Sequence, residues 1–408
     1  MLLLIALAHA HMYLAGNRTG FRGYDLDGSA VDRVVAAVQV LLVDGRALPM
    51  FAALFGYGLV RLADRLAGRL APAEPFAGRF VAGPGTTART AAGTTAGTTV
   101  GTAARTAAAT GPGGADGSWP HVRRVLRRRS LWLLAFGACH ALLLFFGDIL
   151  GAYGLIGLLL IGFLRRDDRD VLRAAGVGLL LHVVVIGAFG LLTVHAPKGD
   201  TPAAMADPVG AAVARVVAWT AMTPTWFVAS AVPTFLLGIW AARRRLLDEP
   251  GRHRALLRRV AVAGVGAAVV GGLPLMLVDA GLWAPPAAVS VPAYVLHSVA
   301  GVAGGLGYAA LVGLVAARVG ERRGPVVGAL VACGQWSLTC YLLQSVVFVA
   351  VFAPYAGGVG LRAGDAAASG IAVVTWLGTV VLASLPGLRG RRGPAESLLR
   401  RLTYGRSG

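Results

Sequence analysis

Lysine is almost missing from this chain, with Lys198 the only one among 408 residues. No apolar segment contains a lysine, which excludes a lysine Schiff base inside a bilayer. Charge of both signs is scarce, at 14% of residues against about 25% in an ordinary soluble domain. Cysteine is limited to Cys139, Cys333 and Cys340, all in apolar runs and without a Cys-x-x-Cys pair. Neither a disulfide framework nor a zinc site follows from that pattern, and no metal is expected. The signatures of soluble enzymes are absent as well: no P-loop, HExxH or GxSxG, and no GxGxxG after a strand.

What is there is apolar. Hydrophobic residues make up 56% of the chain, and the sequence contains runs of the length an α-helix needs to cross about 30 Å of hydrocarbon. Ten are counted, over 1–14, 46–63, 130–147, 148–164, 172–194, 220–242, 259–281, 292–317, 326–353 and 368–388. Helices satisfy their own backbone hydrogen bonds, so the expected fold is all-α, a polytopic integral membrane protein of about ten transmembrane helices. The N-terminal "MLLLIALAHAHMYLAG" lacks the basic region of a signal peptide. It is read as a first transmembrane helix whose start is expected upstream.

The formal charge is +19, from 38 basic and 19 acidic residues. The arginines sit in short clusters beside apolar runs, not in a stripe with interleaved aromatics, so no nucleic-acid partner is expected. "HVRRVLRRR" at 121–129, "RRDDRDVLR" at 165–173, "RRRLLDEPGRHRALLRR" at 243–259 and "RGRRG" at 389–393 fall in alternate loops. The positive-inside rule then places both termini in the cytoplasm and the protein in the plasma membrane as a multi-pass chain. The expected organisation is transmembrane helices 1–2 with an outer interfacial helix over 1–83, helices 3–10 over 119–388, and a basic cytoplasmic tail over 389–408. Between the first two lies 84–118, a Thr/Ala/Gly-rich stretch too poor in apolar surface to order itself, expected as a disordered cytoplasmic loop.

A charged group at bilayer depth costs roughly 2.5–3.5 kcal/mol, so each one retained is a candidate for function. Asp148, at the tip between two apolar runs, is either a solvated turn or the partner of His140, eight residues earlier on a neighbouring helical face. Asp44 and Arg46 open the second span, either as a local ion pair or with Arg46 presenting its fork to an anionic group. Gly56 and Gly58 follow, where small residues allow close helix contact. His9 and His11 on the first span are candidate bases, nucleophiles or proton relays. Isolated His182 and His297 read as hydrogen-bonded packing residues. Gln335, Thr339 and Gln344, at spacings of four and five, line one side of the ninth span. Either interhelical hydrogen bonding or a substrate-lined cavity explains them.

"DGRALPMFAALFGYGL" in the second span, the hairpin of His140, Gly147, Asp148, Ile149, Leu150 and Tyr153, "SLTCYLLQS" at 337–345 and the tail "GPAESLLRRLTYG" together resemble the YeiB-like family (domain of unknown function 418). The sequence departs from that pattern in lacking "LRG" before the first span and in carrying Ala395 and Ser397 in the tail. The family is similar in fold to transmembrane acyltransferases of the heparan-α-glucosaminide N-acetyltransferase type. That resemblance implies transfer of an acyl group from a cytoplasmic donor, acyl-CoA, to a small-molecule, lipid or glycan acceptor, with no bound cofactor. His9, His11, His140 and Asp148 would be catalytic, and Asp44, Arg46, Tyr153, Gln335, Thr339 and Gln344 would bind substrate. A secondary transporter, marked by helices broken at the midplane, and a non-catalytic membrane partner are the alternatives.

Overall fold

A computed structural model describes residues 1–15, 19–68, 114–195, 202–320 and 324–405. Among the described residues the chain is all-α, and its only β pairing is an isolated bridge between Thr19 and Asp25. Asn17 and Arg18, the first two residues of an Asn-x-Thr glycosylation match, and residues 84–113 of the Thr/Ala/Gly-rich stretch lie outside the described residues, while 114–118 open helix α4.

The elements follow the apolar runs, and Ala30–Leu42, Ile149–Leu160 and Pro208–Met222 begin on a side-chain cap. Helix α1 (Leu2–Ala10) continues as a 3-10 turn through Tyr13. Helix α2 (Ala30–Leu42) starts on a capping box in which Ser29 and Asp32 satisfy each other's backbone N–H. Then come α3 (Ala47–Leu66), α4 (Gly114–Leu143) and α5 (Ile149–Leu160), the last capped by Asp148. Helices α6 (Asp168–His195), α7 (Pro208–Met222), α8 (Val228–Arg243), α9 (Arg254–Asp279) and α10 (Ala287–Val319) follow along the chain. Helices α11 (Pro325–Gln335), α12 (Ser337–Phe352), α13 (Asp365–Ser384) and α14 (Pro394–Tyr404) complete it.

Six of the ten expected runs form helices long and apolar enough to cross a membrane, and α11 with α12 makes a seventh if that pair, bent by 83°, is one span. Leu2–Tyr13 and Ile149–Arg165 are shorter apolar helices. In α4 only the part after Arg129 is apolar.

Three of these spans are interrupted. The stretch expected as an outer interfacial helix is α2, and with α3 it makes one candidate span, Ala30–Leu66, broken by a turn at 43–46. Gly45 sits in that turn at φ +70°, a left-handed conformation that only glycine adopts without strain. The exposed Val31, Val34, Val38 and Leu42 form an apolar stripe along α2, as a lipid-facing surface requires. A π-type turn at Thr223–Phe227 divides α7 from α8. At the third break, between α11 and α12, the free thiols of Cys333 and Cys340 lie 3.9 Å apart.

Helix α3 packs closely on α8, and glycines set the separation. A Cβ on Gly56 would run into the Phe235 carbonyl oxygen, and one on Gly238 into that of Ala53. Gly301 and Gly305 of α10 likewise abut Gly45 and the first turn of α3. Gly58, by contrast, is exposed, and a methyl group added there would meet no atom within 4 Å. Gly56→Ala is therefore expected to destabilise the protein by about 1–3 kcal/mol through forced helix separation. Gly58→Ala should be neutral or slightly stabilising, as alanine is the better helix former. Melting midpoints of the two variants in the same lipid nanodisc compare them directly, and equal losses would contradict the packing described.

Candidate functional site

The hairpin between α4 and α5 folds Asp148 back under the end of α4. Asp148 Oδ2 accepts the Gly151 N–H at 2.6 Å and so caps α5, while Oδ1 lies 3.0 Å from His140 Nδ1 and 3.4 Å from the Tyr341 hydroxyl. The His140 contact is off the line of a straight hydrogen bond. On the other side of the ring, His140 Nε2 is 2.9 Å from Ser345 Oγ. Asp148 is 0% exposed, so the solvated-turn reading is wrong. A Cβ at Gly137 would occupy the space taken by the Asp148 carboxylate.

His9 and His11 line a cavity of about 380 Å³ at the end of the bundle opposite the arginine clusters. His9 packs its ring against Phe145 at 4.5 Å and Tyr341 at 6.1 Å between centroids. Tyr341 in turn lies 4.9 Å from the His140 ring, so one tyrosine separates the two histidines. His11 has a different part: its Nε2 is 2.9 Å from the Arg22 carbonyl oxygen and its ring stacks on Tyr24 at 4.2 Å. It therefore holds the loop 19–28 across the cavity. That loop brings in Arg22, whose guanidinium lies 3.8 Å from Asp44 Oδ1 and 6.0 Å over Trp226. Asp279 accepts the N–H groups of Phe21 and Arg22 at 2.8 and 3.0 Å.

A second cavity, about 720 Å³, opens at the arginine-rich end, lined by Arg129, Arg391, Arg392 and Arg400 with Tyr153 and Gln335. Ile5, Phe51 and Ile149 line both cavities and form the partition between them. Tyr153 donates to the Leu48 carbonyl oxygen at 3.2 Å. Thr339, expected on a substrate surface, is instead part of a latch: Glu396 of α14 accepts the N–H groups of Leu338 and Thr339 at 2.7 and 3.2 Å and the Thr339 hydroxyl at 2.5 Å. One tail carboxylate thereby caps the first turn of α12. Gln344 is buried with neither amide atom hydrogen-bonded, and it lines neither cavity.

Asp44 and Arg46 line neither cavity. Arg46 is 0% exposed. Its Nη1 donates to the Asp44 carbonyl oxygen and lies 3.2 Å from His297 Nε2, and Nη2 donates to the Ala268 carbonyl oxygen at 2.6 Å. The fork expected to face an anion is thus turned inward, pinning the α2–α3 break to α9 and α10. Asp44 accepts the Tyr24 hydroxyl at 2.7 Å. Burial, and then that carboxylate, push the Tyr24 hydroxyl well above the usual tyrosine range, so it stays a donor.

Neither Arg22 nor Glu396 stands out as a site residue in the sequence, although each leaves a trace there: Arg22 interrupts the aromatic "GFRGY", and Glu396 is the single acid in a basic tail. His182, expected as a hydrogen-bonded packing residue, is packed without that bonding. Neither of its ring nitrogens makes a well-formed hydrogen bond, although the Ser298 backbone is close enough to interact with the ring.

Comparison with known proteins bears out the family resemblance. Residues 241–406 match the family model described as "Protein of unknown function (DUF418)". The chain is 26% identical over 308 residues to the "Uncharacterized protein YxaH" of Bacillus subtilis (strain 168), covering 68% of this chain and 71% of that protein. No solved structure matches.

Glu396→Ala is expected to release α14, since three hydrogen bonds to α12 are lost and no other tail carboxylate can replace them. Hydrogen exchange should then rise in α14 and in the first turn of α12 while α9 and α10 stay protected. Unchanged protection of α14 would show that the latch does not hold the tail.

Proposed function

We propose that this protein is a ten-span plasma-membrane acyltransferase that moves an acyl group from a cytoplasmic acyl-CoA to an acceptor in the histidine-lined cavity on the outer side. The observation that carries the reading is the pair of cavities meeting at Ile5, Phe51 and Ile149, one rich in arginine and the other lined by His9. Arginine forks bind phosphate groups bidentately, which suits the polyanionic end of a coenzyme A thioester. The positive-inside rule puts that cavity in the cytoplasm and both termini with it. The ten crossings are α1, α2–α3, α4, α5, α6, α7–α8, α9, α10, α11–α12 and α13.

In the reaction an acceptor hydroxyl attacks the thioester carbonyl, the C–O bond forms and the C–S bond breaks. His9 takes the proton from the hydroxyl and delivers it to the departing thiolate, so the products are the acylated acceptor and free coenzyme A thiol. His140 and Asp148 act as positioning residues behind Tyr341, which packs against both His140 and His9. His11 positions the 19–28 loop through the Arg22 carbonyl.

A second reading, a transporter, draws support from the interrupted spans Ala30–Leu66 and Pro208–Arg243, because broken helices commonly build midplane transport sites.

Purified protein in lipid nanodiscs is incubated with a panel of radiolabelled acyl-CoAs, and label is followed into lipid-extract acceptors. Wild type should transfer label, and His9→Ala should lose about 10²- to 10⁴-fold in rate, the usual contribution of a general base, with an unchanged melting point. Asp148→Asn keeps the cap on α5 and is expected to transfer more slowly without loss of fold. Absence of transfer by well-folded wild type across the panel would remove the acyltransferase reading, as would full activity of His9→Ala.

A further inference from the structure

The outer cavity has a polar wall that the transfer chemistry does not use. His182 of α6 and Ser230 of α8 both line it, at 2% and 5% exposure. Among the described residues no side chain or backbone group makes a well-formed hydrogen bond to either nitrogen of His182 or to Ser230 Oγ. Ser298 of α10 borders the same wall, and Trp226 and Tyr294, joined by a 3.3 Å contact between Trp226 Nε1 and the Tyr294 hydroxyl, supply flat apolar surface beside it.

A polar atom buried without a partner is costly, at roughly 1–3 kcal/mol each. His182 and Ser230 both line one cavity and carry three such atoms between them, so a ligand that reaches them as the side chains turn relieves that cost, and the types of atom select it. An imidazole offers one donor and one acceptor when neutral, and a serine hydroxyl offers both. A carboxylate or phosphate accepts only, and an ammonium donates only, so neither satisfies a mixed set. A hydroxyl donates and accepts at the same atom. Among the described residues the one guanidinium on the cavity wall, that of Arg22, already faces Asp44 at 3.8 Å, and no Asp or Glu lines the cavity. Among the described residues the wall thus carries no uncompensated carboxylate or guanidinium to draw an ion.

We infer that His182 and Ser230 form a subsite for a neutral, polyhydroxylated headgroup, holding hydroxyls that do not react while Trp226 and Tyr294 cover its apolar side. The inference rests on the proposed transfer only in naming this ligand as the acceptor; the binding itself needs no donor. The subsite fixes which hydroxyl is left near His9, and so sets acceptor choice.

The test is equilibrium dialysis of tritiated hexyl glucoside, below its micellar concentration, against protein-loaded and empty nanodiscs with no acyl-CoA present. Unlabelled hexyl phosphate and free glucose serve as competitors. Retention is expected with wild type and about tenfold weaker binding with His182→Ala and with Ser230→Ala, the second being a small change that keeps the core volume nearly intact. Hexyl phosphate should compete poorly. Displacement by glucose would assign a free polyol, and resistance to glucose a lipid-linked one; either supports the subsite. Equal retention by wild type and both folded variants, or stronger competition by hexyl phosphate than by hexyl glucoside, overturns it. Because no acyl donor is present, a failed transfer assay and a failed subsite are read separately.

Discussion

The fully buried guanidinium of Arg46 organises the side of the molecule on which the outer cavity lies. A charge cannot be left in hydrocarbon without partners, and Arg46 finds them in the Asp44 carbonyl oxygen, His297 and the Ala268 carbonyl oxygen. Those contacts tie the break of the α2–α3 span to both α9 and α10. Gly45 and Gly301 let the backbones meet closely enough for that to happen. Once the break is fixed, Asp44 is fixed, and with it Tyr24 and the loop that carries Arg22 across the cavity.

The same rule recurs at the other charged sites. Asp148 satisfies the N-terminus of α5 and lies against His140; Glu396 satisfies the N-terminus of α12 across the bend; Asp279 holds the N–H groups of Phe21 and Arg22. Each carboxylate is retained because it binds backbone N–H groups that a membrane interior cannot hydrate. These caps in turn position the His140 ring, the arginine-rich tail and the cavity loop.

Much of this is legible in the sequence and some cannot be. Apolar run length marks the helices, and glycine spacing marks the tight contacts at Gly56, Gly301 and Gly305, because both depend on local pattern. Gly58 shows the limit, since a glycine facing away from the partner helix looks the same in sequence as one facing it. Spacing pairs His140 with Asp148, yet the contact arises from the hairpin, not from two faces of one helix. Arg46 is visible as a charge in an apolar context, but the direction of its fork is set by α9 and α10, more than two hundred residues away in the chain. His182 escapes for the same reason: an isolated histidine reads as hydrogen-bonded until the groups packed around it are known.

The way the polar ties are distributed bears on enzyme against transporter. Alternating access needs an element with two stable arrangements. Here the α2–α3 break is held by Arg46 and Asp44, and the first turn of α12, just past the bend, is held by Glu396. The partition between the cavities is different in kind, being three apolar side chains, Ile5, Phe51 and Ile149. Rotamer changes in such side chains need no movement of the helices and are far faster than helix shifts. The polar ties therefore sit at the helix breaks while the boundary between the two cavities is left to apolar contacts, so the breaks serve as fixed walls in this arrangement of the chain.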